Sequence, residues 1–153
     1  MKILKLIASI LVCQLAGIVG SLATFPEITG WYATLIKPFF APPNWVFGPV
    51  WITLYLLMGI ALWLVWEKGL KKTKKAMQLF AAQLALNSLW SIVFFGFHSP
   101  LGGFIVIVLL WYLIFLCMMR FSKISKRAGW LMVPYLAWVS LASVLNLAIL
   151  LLN

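Results

Sequence analysis

The sequence predicts an all-α membrane protein: one domain over residues 1–153, folded as a bundle of five transmembrane helices. Three observations carry this. The chain is 65% hydrophobic and 9% charged, with mean hydropathy +1.11, more apolar than a water-soluble core of this size requires. Charge is missing altogether from 6–26, 38–66, 76–119 and 128–153, and a helix rising about 1.5 Å per residue needs roughly 20 residues to cross about 30 Å of hydrocarbon. These runs are continuously apolar, without the in/out alternation of a membrane β-barrel.

Taken in order, Lys2 and Lys5 precede an apolar stretch that gives the first helix, 3–25. A small-residue site near Ser21 gives this start the look of a signal peptide. Its apolar stretch exceeds the usual length of about 7–15 residues, so an uncleaved first helix is expected. The segment WYATLIKPFFAPPNWVFGPVW follows, apolar and aromatic where an exposed loop would be polar. Pro38, Pro42, Pro43 and Pro49 fix φ and push each preceding residue away from helix, which makes 26–45 a semi-rigid lid packed on the bundle. Asn44 is placed to cap the second helix, 46–67. In the following loop, WEKGLKKTKK, Glu67 and Lys71 have i,i+4 spacing. The third uncharged run is too long for one crossing and is broken at His98-Ser99-Pro100-Leu101-Gly102-Gly103, giving helices 76–97 and 101–121 joined by a hairpin. After RFSKISKR comes the fifth helix, 129–152, with Pro134 inside it.

Net charge is +10, but its distribution points to topology and not to nucleic acid. With five crossings, the N-terminus and the loops after the second and fourth helices share one side, and they hold every Lys and Arg except Lys37. The positive-inside rule makes that side cytoplasmic, with the C-terminus outside, in a multi-pass protein of a bacterial plasma membrane whose basic loops touch anionic lipid heads. Cys13 and Cys117 fall within helices as small apolar filler, with no disulfide or metal role.

The chemistry is limited by what the helices lack. No carboxylate, Lys or Arg lies at depth, which argues against ion-coupled transport. The single His, His98, reads as a solvated turn residue, and no carboxylate pair, Cys/His cluster or phosphate loop is present. What remains is uncharged. Gln83, Asn87, Trp90 and Phe94 share one face of the third helix; Tyr135, Trp138, Ala142, Leu145 and Asn146 form a stripe on the fifth; Trp51 and Tyr55 sit in the outer half of the second. Each alone is better explained by helix packing. Together they share a depth under the lid and suit a pocket for a large, flat, mostly apolar ligand.

The segments WYATLIKPFFAPPNWVFGPVWITLY, QLALNSLWSIVFF and PYLAWVSLASVLN resemble the TspO/MBR family, the tryptophan-rich sensory or translocator proteins once called peripheral-type benzodiazepine receptors. The match spans nearly the whole chain. The resemblance implies a five-helix bundle, commonly a homodimer, that binds protoporphyrin IX and benzodiazepine-site ligands and has no obligatory cofactor. Carried over by residue, the ligand site would comprise Tyr32, Pro42, Pro43, Trp51, Tyr55, Asn87, Trp90, Trp138 and Ala142. Trp51 and Trp138 would serve light- and oxygen-dependent porphyrin degradation; the alternative is a carrier or sensor that leaves its ligand unchanged. The sterol motif of animal members needs a Tyr and then a cation late in the fifth helix, and SVLNLAILLLN has neither. Small residues on the first helix (Ala16, Gly17, Gly20) and third (Ala81, Ala82, Ala85) suit either a dimer contact or internal packing.

Overall fold

The computed structural model describes all 153 residues. Five helices long and apolar enough to span a membrane follow one another: α1 (Lys2–Ile28), α3 (Asn44–Trp66), α4 (Leu70–Ser91), α5 (Pro100–Ile124) and α6 (Lys126–Leu152). A single turn, α2 (Trp31–Thr34), lies in the first connection, and there is no strand. In the order α1, α3, α6, α5, α4 the helices pack side by side into a closed ring, with α3 also reaching α4 and α5 across it. The expected all-helical membrane bundle is therefore what the chain forms.

The two ends differ in chemistry. At the basic end, Lys5 Nζ lies 3.3 Å from Glu67 Oε1 and 5.6 Å from the Trp66 ring. Glu67 thus pairs with α1 and not with Lys71, because Gly69, at φ +92°, turns the chain between them and places the two on different helices. At the opposite, aromatic end, Ile36 is held by both its backbone groups: its N–H donates to Asn153 Oδ1 and its carbonyl accepts from Asn153 Nδ2, each at 3.0 Å.

Helix bounds moved where charge or proline was taken as a stop. The lysines of 70–75 continue α4 inward beyond the apolar run, and only Ser125 separates α5 from α6, its side chain capping α6 by accepting from Ala128 N–H. α1 runs through Pro26 to Ile28, since a proline in the last turn forfeits a single helical bond. The irregular part of the lid shrinks to 35–43. Asn44 makes no cap; Pro43, at φ −58° and ψ 146°, already occupies that position, and Asn44 is in the first turn.

Many side chains toward the basic end are completely buried. Met58, Ala61, Val65, Ile114, Cys117, Phe121, Ala128 and Met132 are fully buried, and Phe80 stacks on Phe121 with centroids 5.6 Å apart. Both cysteines are buried and free. Toward the aromatic end, α4 widens into a π-helical turn, Ile92–Gly96, a local change of phase that the apolar pattern does not announce. It brings the consecutive Phe94 and Phe95 both into the interior, where an α-helix would splay them by about 100°.

Candidate ligand-binding site

A cavity of about 240 Å³ lies in the aromatic-end half, bounded by the aromatic-end halves of α1 and α3, by α2 and by the end of α4 with its π-turn. Tyr32, Trp51, Tyr55 and Trp90 line it, as the sequence proposed, together with Phe47 and Phe95. Ile18, Phe25 and Ile52, also in its lining, are exposed on the bundle's outer surface, so the cavity opens sideways between α1 and α3. A second void of about 20 Å³ contains Ala142 and shares Tyr32, Phe47, Trp90 and Phe95 with the first.

The other expected site residues stand back from both voids. Trp138 packs edge-on against Phe47, centroids 6.0 Å apart, so that Phe47 stands between it and the cavity; the Trp138 indole N–H is buried without an acceptor. Pro42 and Pro43 shape the lid and touch neither void. Asn87 lies behind Tyr55 in a continuous hydrogen-bonded row. The Tyr55 hydroxyl donates to Asn87 Oδ1, Asn87 Nδ2 donates to the Tyr135 oxygen at 2.7 Å, and the Tyr135 hydroxyl donates to Gln83 Oε1 at 2.8 Å. Gln83 Nε2 ends the row on Met58 Sδ at 3.8 Å. Trp51 stacks on Tyr55 (5.5 Å, 29°) and meets Tyr135 edge-on (6.3 Å), so the cavity wall rests on this row.

The lining is electrically quiet. Gln14 Nε2 donates to the Ile52 carbonyl, Ser21 and Thr24 donate back to their own helix, and Trp90 Nε1 donates to Asn146 Oδ1 at 3.1 Å. Tyr32, only 3% exposed, is the exception: its hydroxyl is buried with no partner. Burial pushes its phenol pKa up, so the group stays a neutral donor. No group of three or more metal-ligating side chains exists. The arrangement offers aromatic faces to a flat apolar molecule and one free O–H to an acceptor on it.

Comparison with known proteins bears on which fold family owns this geometry. The TspO/MBR family model matches residues 9–152. The chain belongs to the TspO/MBR family. It is 47% identical to a tryptophan-rich protein TspO of Archaeoglobus fulgidus over 153 residues, covering 100% of this chain and 99% of that one. It is 48% identical to the protein of the same description from Chlorobaculum tepidum, with 99% and 98% covered. The human translocator protein is 38% identical over 87% of this chain and 80% of its own length.

In this TspO/MBR chain, reasoning from sequence missed the α1 wall. Gln14, Gly17, Ser21 and Thr24 line the cavity from a helix whose small residues were read only as suiting a dimer contact or internal packing. The signal was present: Gln14, Gly17, Ser21 and Thr24 recur at three- and four-residue steps, one small and polar face in an otherwise apolar helix. Phe95 had no such signal, because its inward position depends on the π-turn. His98 is the exposed turn residue the sequence led one to expect, but it also makes contacts that the sequence did not signal. Its ring stacks on Trp31 at 4.8 Å, and its Nε2 lies 3.0 Å from Glu27 Oε2, which also accepts the Trp31 backbone N–H. It fastens the α4–α5 hairpin to the start of the TspO/MBR lid.

Proposed function

We propose that this protein binds protoporphyrin IX and related flat apolar ligands in the aromatic-end cavity, and that it promotes their light- and oxygen-dependent degradation. The reading is supported chiefly by Trp51, whose indole forms part of the cavity wall and is backed by Tyr55 and Tyr135. Family membership supports the same reading, as does a lining without a charged group. The asymmetry of Lys and Arg orients the aromatic end outward across a plasma membrane.

A cavity of about 240 Å³ is smaller than the roughly 300–1,000 Å³ usual for drug-sized ligands, so a tetrapyrrole requires a wall to move. Phe47 is that wall. With Tyr32, Trp90 and Phe95 it lines both voids, and it is the ring packed on Trp138, so its displacement would widen the space and bring the second tryptophan to the ligand. Dioxygen is the oxidant. Excited by energy transfer from the illuminated porphyrin, it adds across a macrocycle C=C bond, both oxygen atoms remaining in the product and no outside electrons being needed. Trp51, and Trp138 once uncovered, stack on the ring and hold it in the water-poor cavity where the excited oxygen is formed, so that addition to the macrocycle outruns its escape.

Illumination of protoporphyrin IX with wild type, Trp51→Phe and Trp138→Phe, followed by absorbance, tests this. Decay several-fold slower in Trp51→Phe, with binding retained, is expected, and Trp138→Phe should slow it less. Unchanged decay in both variants removes the tryptophan mechanism. One observation favours a second reading, exchange of ligand without conversion: the sideways opening at Ile18, Phe25 and Ile52 connects the cavity to the bilayer. Vesicle uptake in the dark without product would support it.

A further inference from the structure

Lys37 is the one cation at the aromatic end, and it is half-buried, an uncommon setting for an ammonium. Its Nζ sits 4.6 Å from the centroid of the Tyr32 ring and donates one hydrogen bond, a long one of 3.3 Å, to the Leu35 carbonyl. An ammonium has three donors, so two are unused. No carboxylate meets it. The chain has two acidic side chains, and Glu67 is paired with Lys5 at the far end while Glu27 is held by His98 and the Trp31 N–H; the carboxylate of Asn153, whose side chain is bonded to the neighbouring Ile36, makes no ion pair with Lys37 either. Directly beneath Lys37, Tyr32 lines both voids and carries the buried hydroxyl that finds no acceptor. Two independent donors are thus left without an acceptor of their own, Tyr32 in the wall of the cavity and Lys37 just outside that wall, while the cavity's other polar groups are mostly satisfied within the protein. A cation above the ring face also draws electron density from the phenol and strengthens its O–H as a donor.

We propose that Lys37 and Tyr32 form a carboxylate-recognising subsite that takes the acidic side group of a ligand whose flat apolar body fills the cavity. This rests on the cavity being a tetrapyrrole site and names the part of the tetrapyrrole it selects: a propionate at the edge of the macrocycle. The apolar walls hold the ring without regard to its substituents. The rim, where water and the headgroup region are close, is the place where a charge is kept at least cost. The subsite therefore fixes the direction in which the ring enters, acid group toward the lid, and discriminates against uncharged macrocycles of the same shape.

The test titrates protoporphyrin IX and its dimethyl ester, which has the same ring and no charge, into protein in a neutral sugar detergent free of phosphate lipids, reading quenching of tryptophan fluorescence. The quantity compared is the ratio of acid to ester affinity, because unequal partitioning of the two into micelles cancels between variants. Lys37→Met should lower that ratio about tenfold, the order of one charge-assisted hydrogen bond, with ester affinity unchanged. Lys37→Arg should keep the wild-type ratio, and Tyr32→Phe should lower it to a smaller extent. A ratio unchanged by Lys37→Met overturns the subsite and leaves the tetrapyrrole reading standing, with Lys37 serving only the membrane surface. Failure of both porphyrins to bind wild type overturns the tetrapyrrole reading and the subsite with it.

Discussion

Asn87 shows how a polar residue near a site can serve the site without touching it. Its amide joins Tyr55, a cavity residue, to Tyr135, which lies wholly inside the bundle. Replacing it with Leu keeps most of the volume but strands the Tyr55 hydroxyl, at a cost of about 1–2 kcal/mol for a buried donor in a membrane bundle. The expected outcome is a lower unfolding temperature in detergent, with part of the loss recovered in Tyr55→Phe/Asn87→Leu; a purely additive double variant would show that the two are not coupled. The sequence made the face legible: Gln83, Asn87, Trp90 and Phe94 do point inward together. It did not make the assignment within that face legible, since helical spacing tells which side a residue is on and says nothing of what stands in front of it. Tyr55 screens Asn87, and Phe47 screens Trp138, through contacts between helices far apart in sequence.

At the scale of elements, the α1–α3 pair sets the width of the cavity. A Cβ on Gly59 would lie 2.7 Å from Ile10 Cα and 3.1 Å from its N, and backbone cannot step aside as a flexible side chain can. Gly59→Ala is therefore expected to push α1 off α3 and destabilise by about 1–3 kcal/mol, whereas Gly48→Ala, which would meet nothing within 4 Å, should leave unfolding temperature unchanged or slightly raised. Equal effects would refute close helix approach as the cause. The lid answers to a different lever. Pro42 and Pro43 restrict the irregular segment 35–43, and Gly at both should weaken ligand binding several-fold through lost preorganisation, while the bundle stays folded with a modestly lower thermal transition. Helix number, order and the proline-stiffened lid were readable because they depend on local composition. Helix ends were not: Lys71, Lys72, Lys74 and Lys75 are good helix formers that continue α4 past the apolar run, and charge marks the edge of the membrane more faithfully than the end of a helix.

For the molecule as a whole, the two halves have different work. In the basic-end half eight of the residues named above have zero exposure, and both voids described above lie in the other half. Between them the row Tyr55–Asn87–Tyr135–Gln83 runs across the ring from α3 through α4 to α6 and back. This partition was anticipated only in outline, from stripes at one depth and a lid above them. That the lower half holds no passage is a property of packing density, to which hydropathy is blind. In transport terms the bundle is a cup and not a pipe. On the proposed reading, a molecule taken in beneath the lid meets the hydrogen-bonded row as a floor and leaves by the side or the rim it entered. Exchange in this arrangement would be confined to one leaflet, and net crossing of the bilayer would need a rearrangement of the bundle or a partner.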